Sequence, residues 1–126
     1  MPMSPRRKPV VLYIDDDLAS RKMLERIVAR RCPKVRVVTA ATAGEGLELV
    51  VTERPNLILL DRNLSSSSGD KVLQDLRVDP ATAEIPVVIV TGEMEGSSVL
   101  LERGAKEILP KPYDVDALET IVTRYT

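Results

Sequence analysis

Four aspartates, a threonine and a lysine stand at the edges of short apolar runs. Asp15, Asp16 and Asp17 follow Val10–Ile14, Asp61 follows Leu57–Leu60, Thr91 follows Val87–Val90, and Lys111 lies just past Ile108–Leu109. Gathered in one crevice, they would combine oxygen ligands, a hydroxyl and an ammonium. Two carboxylates about 4 Å apart repel by roughly 4 kcal/mol at an effective dielectric near 20. Clustering Asp15, Asp16 and Asp61 therefore calls for a cation or for proton uptake. A hard, oxygen-ligand site with few protein carboxylates suits Mg2+, which keeps several waters and shares phosphate oxygens with the protein. Lys111 offers a point charge to Asp61 or to a phosphoryl oxygen, and Thr91 a neutral donor. The set suits phosphoryl transfer with an aspartate as nucleophile, where catalysis is mostly positioning and charge neutralisation.

Singly, each residue has a plainer role. Asp17 reads as a helix cap, Thr91 as turn chemistry, Lys111 as a solvated charge, and Asp61 as a cap on the following loop. The elements between them decide whether they meet. Five β-rich runs (Val10–Ile14, Val35–Ala40, Leu57–Leu60, Val87–Val90, Ile108–Leu109) alternate with helical stretches. The first, third and fourth are nearly continuous apolar runs, as expected of parallel strands covered on both faces. Ala19, Met23, Leu24, Ile27 and Val28 form one helix face, and Ala43, Leu47, Val50 and Val51 a second. Val72, Leu73 and Leu76 mark a third. Val115, Leu118, Ile121, Val122 and Tyr125 mark a fifth, and the fourth, near Ser97–Arg103, has no sharp start. Thr42 with Glu45 has capping-box spacing, and Asp114 caps the last helix. Alternating βα units predict an α/β chain, a flavodoxin-like (βα)5 doubly wound parallel sheet of strand order 2-1-3-4-5. In such a sheet ligands gather outside the C-terminal strand ends, where the chemistry-bearing residues fall.

The 126 residues suffice for one domain without a metal or disulfide staple. Residues 1–8 are expected to form a flexible tail, with Arg6, Arg7 and Lys8 as its basic cluster, and residues 9–126 the domain. Charged residues make up 29% at a net charge of −1, which points away from direct nucleic-acid binding and from an anionic membrane. Three tyrosines as the whole aromatic content leave no base-stacking surface. There is no long apolar run and no signal-like stretch, and Cys32 has no partner for an intrachain disulfide. A cytoplasmic location is the expectation.

With these residues in order, the chain resembles the receiver-domain family of two-component signalling, chemotaxis receivers included, from Val10 to Val122. The resemblance rests on Leu12-Tyr13-Ile14-Asp15-Asp16-Asp17, Leu57-Ile58-Leu59-Leu60-Asp61, Gly69, Pro86-Val87-Val88-Ile89-Val90-Thr91-Gly92 and Gly104-Ala105-Lys106-Glu107-Ile108-Leu109-Pro110-Lys111-Pro112. It implies that Asp61 is the phosphoacceptor. Asp16, Asp61 and the backbone carbonyl of Asn63 would hold Mg2+, with Asp15 acting through a coordinated water. Lys111 and Thr91 would bind phosphoryl oxygens, and Lys111–Pro112 would be cis. Asn63 and Glu93 would flank the incoming water and tune dephosphorylation, their polar character implying a transient phosphoaspartate. Implied partners are a sensor histidine kinase or histidine phosphotransfer protein, a downstream protein target or covalently linked domain, and a homodimer formed on phosphorylation. Such a protein is no enzyme beyond its own phosphorylation and dephosphorylation.

Two positions depart from the family pattern. Ser65 stands where proline is usual and opens a run of four serines, implying a more mobile loop, and Ile108 replaces the usual aromatic switch residue. Two other functions fit parts of the sequence. A haloacid-dehalogenase-like phosphatase would use Asp15 as nucleophile, and a receiver-shaped interaction module would go unphosphorylated.

Overall fold

The computed structural model describes residues 7–65 and 67–126. Of the expected tail, positions 1–6 lie outside the described residues, while Arg7 and Lys8 are exposed and without regular structure. The elements run β1 (Val10–Ile14), α1 (Leu18–Arg31), β2 (Arg36–Ala40), α2 (Ala43–Glu53) and β3 (Leu57–Asp61). They continue with β4 (Asn63–Leu64), β5 (Ser67–Ser68), α3 (Gly69–Val78), β6 (Val87–Thr91), α4 (Ser98–Glu102), β7 (Glu107–Pro110) and α5 (Val115–Tyr125). The main sheet is parallel, in the order β2-β1-β3-β6-β7. Setting aside the two-residue antiparallel ladder β4–β5, this is the expected order 2-1-3-4-5.

Every residue of β1, β3 and β6 is buried, because these strands carry helices on both faces. Alternation along each strand divides the core in two. Leu12 and Ile14 face Val50, Val72, Leu73, Leu76 and Leu100 of α2, α3 and α4. Val11 and Tyr13 face Leu24, Val28, Leu118, Ile121 and Val122 of α1 and α5. The helix starts follow their caps. Thr42 Oγ1 accepts the Glu45 amide at 3.1 Å, Asp17 accepts the Ser20 amide at 3.2 Å, and Asp114 accepts the Asp116 amide at 2.8 Å.

The serine run has a structural role beyond its loop. Ser68 is the N-cap of α3, accepting the Lys71 amide at 3.2 Å, and Ser67 and Ser68 pair with Leu64 and Asn63. The short α4 has no side-chain cap, in keeping with its indistinct start in the sequence. Arg77 fastens the far side of this region. Its guanidinium donates to the carbonyls of Gly104, Ala83 and Ile85 at 2.9–3.2 Å, tying the turn after α4 to the approach of β6.

Gly69 opens α3 directly under the end of β3. A Cβ there would lie 2.5 Å from the Asp61 carbonyl oxygen and 2.8 Å from Arg62 Cα, both backbone. By contrast, Gly44 in α2 has nothing within 4 Å of such an atom. Gly69→Ala is thus expected to destabilise the fold by about 1–3 kcal/mol through overpacking. Gly44→Ala should stabilise it by about 0.5–1 kcal/mol through helix propensity. Urea denaturation of both variants checks the contrast.

Candidate functional site

Backbone hydrogen bonds set the site before any side chain is considered. The Asp15 amide donates to Ala40 O at 3.0 Å, extending the β1–β2 ladder one residue past the strand. The Arg62 amide donates to Val90 O at 3.1 Å, and Asp61 lies opposite Val90 in register. The Lys111 amide donates to Thr91 O at 2.8 Å. Because all five strands run the same way, these bonds hold Asp15, Asp61, Thr91 and Lys111 at one edge. The Lys111–Pro112 bond is cis, as the resemblance implies.

Lys111 Nζ lies 2.9 Å from Asp15 Oδ2 and 3.3 Å from Asp61 Oδ2. Each contact is worth about 5 kcal/mol of Coulomb attraction at an effective dielectric near 20, before desolvation. That offsets the mutual repulsion of the carboxylates. Burial alone would lower the Lys111 ammonium, but Asp15 and Asp61 outweigh it, so its pKa is raised. Asp61 is the reverse case. Burial pushes its carboxyl up and Asp15 adds to the effect, while the Asn63 amide (3.1 Å to Oδ1) and Lys111 pull it down without cancelling the rise.

Asp16 sits exposed at the mouth, its Oδ2 accepting the Ser65 amide at 2.9 Å, and its carboxyl is lowered chiefly by hydrogen bonding to Ser65. The position where proline is usual thus carries an amide that binds the acidic cluster, a donor proline lacks. Asp17 serves as the α1 cap.

Ligand oxygens of Asp15, Asp16 and Asp61 lie within 4.8 Å of one another. Three hard carboxylate donors, two of them buried and one open to solvent, fit a hard divalent cation that keeps part of its water shell. Thr91 is fully buried, and its hydroxyl is engaged within its own loop. It donates to Glu93 O at 3.1 Å and accepts the Glu93 amide at 3.0 Å. No hydrogen bond links this hydroxyl to Asp61 or Lys111 among the described residues. Asn63, opening β4, and Glu93, on the loop after β6, have exposed side chains beside Asp61 and Thr91.

Two further residues belong here that the sequence alone does not single out. Tyr13 is fully buried and donates its hydroxyl to Asp15 Oδ2. Burial, then Asp15, raises its phenol, which keeps it a proton donor. Its position two residues before Asp15 on a strand is the signal that could have found it, since both face the same way. Arg62, next to the predicted phosphoacceptor, reaches Asp70 Oδ1 at 3.3 Å and the Glu95 carbonyl at 3.4 Å. It spans the loops that follow β3 and β6. Nothing in its spacing marks that role.

A nucleophilic Asp15 has little support from this geometry. Asp15 is fully buried, and its oxygens accept from Tyr13, Lys111 and the Asp17 amide, the last at 2.9 Å.

Comparison with known proteins agrees with the geometry. A family model described as the response regulator receiver domain matches residues 11–123. The transcriptional regulatory protein AfsQ1 of Streptomyces coelicolor is 36% identical over 106 residues, covering 82% of this chain and 45% of that protein. Sporulation initiation phosphotransferase F of Bacillus subtilis is 26% identical over 115 residues, 91% of each chain. The solved chemotaxis response regulator CheY4 of Vibrio cholerae superposes with a TM-score of 0.84 over 95% of this chain and 100% of that one. Its 24% identity supports the fold alone. The chain spans about half the length of the curated relatives it first matches. Among the described residues no helix is long and apolar enough to cross a membrane. A (βα)5 sheet with an acidic cluster bridged by lysine at its C-terminal edge, matched by the family model along nearly all its length, places this chain in the response regulator receiver domain family.

Proposed function

We propose that Asp61 accepts a phosphoryl group from the phosphohistidine of a sensor histidine kinase or a histidine phosphotransfer protein. The carrying observation is the Lys111 ammonium between Asp15 and Asp61, beside an acidic cluster open at Asp16. An Asp61 carboxylate oxygen forms the new O–P bond as the P–N bond to imidazole breaks, and the electron pair leaves with the imidazole. Asp16, Asp61 and the Asn63 backbone carbonyl would hold Mg2+, with Asp15 reaching it through water. The ion neutralises phosphoryl oxygens when bound. Lys111 then turns part of its charge to the new oxygens. Asn63 and Glu93, polar and exposed, flank the approach of water and favour a short-lived phosphoaspartate.

The readout begins at Thr91. To donate to a phosphoryl oxygen its hydroxyl must leave Glu93, which displaces the loop before α4. Ile108, packed on the core facing α2, α3 and α4, has no hydroxyl or ring to follow that movement. Arg62 offers another link, since it bonds the Glu95 carbonyl of the same loop. The response is a population shift on the α4–β7–α5 face, recognised by a protein target, a linked domain or a second copy of the chain. The protein acts in the cytoplasm as a regulatory domain over residues 9–126. It catalyses only its own phosphorylation and dephosphorylation.

Acetyl phosphate with Mg2+ is expected to add one phosphoryl group by intact mass, mapped to Asp61, with none added to Asp61→Asn. Undiminished labelling of that variant would refute the assignment.

The electrostatics of Asp61 also give a pH-dependent expectation. Its raised carboxyl means that the fold holds this proton to higher pH than the unfolded chain does. The resulting stability is fully present below the ordinary aspartate range and is lost as pH rises through the folded value. Without Mg2+, Asp61→Asn should therefore melt above the wild type at neutral pH, and the gap should narrow towards about pH 4. Thermal unfolding at both pH values checks the sign. Mg2+ should raise the melting temperature of the wild type more than that of Asp61→Asn, by preferential binding to the folded state.

A further inference from the structure

Tyr13 is a buried phenol at the acidic cluster for which the phosphoryl-transfer scheme above has no use. It lies in β1, two residues before Asp15 and on the same face, packed in the core shared with α1 and α5. Its hydroxyl donates to Asp15 Oδ2, the oxygen that Lys111 Nζ also meets at 2.9 Å. The other oxygen, Oδ1, accepts the Asp17 amide at 2.9 Å. Asp15 is thus held by donors from the strand, the following loop and the turn after β7. An ionised carboxylate offers about four lone-pair positions, so these three donors leave one for the cation site. Lys111 is shared with Asp61, whereas Tyr13 serves Asp15 alone among the described hydrogen bonds. Its ring is enclosed by core side chains.

We propose that Tyr13 is a positioning residue for the phosphoacceptor site. From the core side its hydroxyl fixes the Asp15 carboxylate. The remaining acceptor position then stays turned towards the cation site, and Lys111 can shift towards a phosphoryl group on Asp61. The proposal rests on the phosphoacceptor reading, but its first effect is on cation binding with no phosphodonor present. Partners that orient metal ligands from outside the coordination shell are worth about 10–100-fold in affinity, and because Asp15 would act through a water the effect of Tyr13 belongs at the lower end, about tenfold.

Tyr13→Phe removes the hydroxyl and keeps the ring. Calorimetric titration with Mg2+ alone should show affinity about tenfold weaker in this variant, with circular dichroism reporting the fold. In an Asp15→Asn background the same substitution should add little, because it acts through Asp15. Unchanged Mg2+ affinity in a folded Tyr13→Phe overturns the proposal, as does an equal loss in both backgrounds.

A second measurement leaves Tyr13 intact. The chain has three tyrosines and no tryptophan, so Tyr113→Phe with Tyr125→Phe leaves Tyr13 as sole emitter. Its emission should change with Mg2+ at the calorimetric midpoint, and emission that stays flat through binding overturns the proposal. Wild type that is phosphorylated while Tyr13→Phe binds Mg2+ normally retains the phosphoacceptor reading and loses the positioning role. Tyr13-dependent Mg2+ binding without phosphate uptake retains the positioning role at the cation site and loses the phosphoacceptor reading. Absence of Mg2+ binding by the wild type overturns both.

Discussion

The charge of Lys111 is the constraint on which the site depends. Asp15 and Asp61 are both buried, and the fold brings them together with exposed Asp16 at the end of central strands that are otherwise uncharged. Without a cation between them the two buried carboxylates would repel with little water to screen them. The ammonium stands 2.9 Å from one and 3.3 Å from the other. It still leaves Asp61 with a raised carboxyl, because the loss of solvation is not fully offset. In the proposed function that residual mismatch would make the site receptive to a further positive charge and then to a phosphoryl group. The same imbalance would then set both the stability of the domain and its readiness to react.

The sheet supplies the rigidity this arrangement needs. β1, β3 and β6 are buried throughout, so a one-residue slip would carry Asp15 or Asp61 into an apolar layer. Ladder bonds run past the strand ends to the Asp15, Arg62 and Lys111 amides, so the reactive edge inherits the strand register. Gly69 lets α3 begin against the Asp61 carbonyl, closing the site from below.

Around this rigid edge lie loops tied by a few polar hydrogen bonds. Thr91 is satisfied by Glu93, Arg62 bonds Asp70 and the Glu95 carbonyl, and the Ser65 amide bonds Asp16. A new acceptor on Asp61 would compete for the first of these donors and crowd the others. In the proposed scheme the signal would travel through exchange of hydrogen bonds in the β3 and β6 loops, with Ile108 as packing and not as a rotating aromatic.

Much of this was legible in the sequence. The three apolar runs carried their own strand assignment, because burial on both faces demands unbroken hydrophobicity. The capping residues Thr42 and Asp114 announced helix starts through local chemistry. Asp15, Asp16, Asp61 and Lys111 could be grouped because parallel strands place their C-terminal ends together, and the structure does bring these four into one cluster. Thr91 stands at the same edge, but its present hydrogen bonds to Glu93 depend on a loop conformation that spacing does not encode. The capping of α3 by Ser68 was hidden in a serine run whose members look alike until the backbone turns. Arg62 was invisible for a related reason, since it acts through a side chain long enough to reach a neighbour chosen by the packing around it, whereas the spacing of Tyr13 before Asp15 carried a signal that only its partner made legible. Sequence by itself determined which residues lie at strand ends, because alternation and burial are properties of short segments. Only the tertiary structure decided which donors meet which carboxylate, because those distances depend on crossovers that set residues nearly a hundred positions apart, such as Asp15 and Lys111, at hydrogen-bonding range.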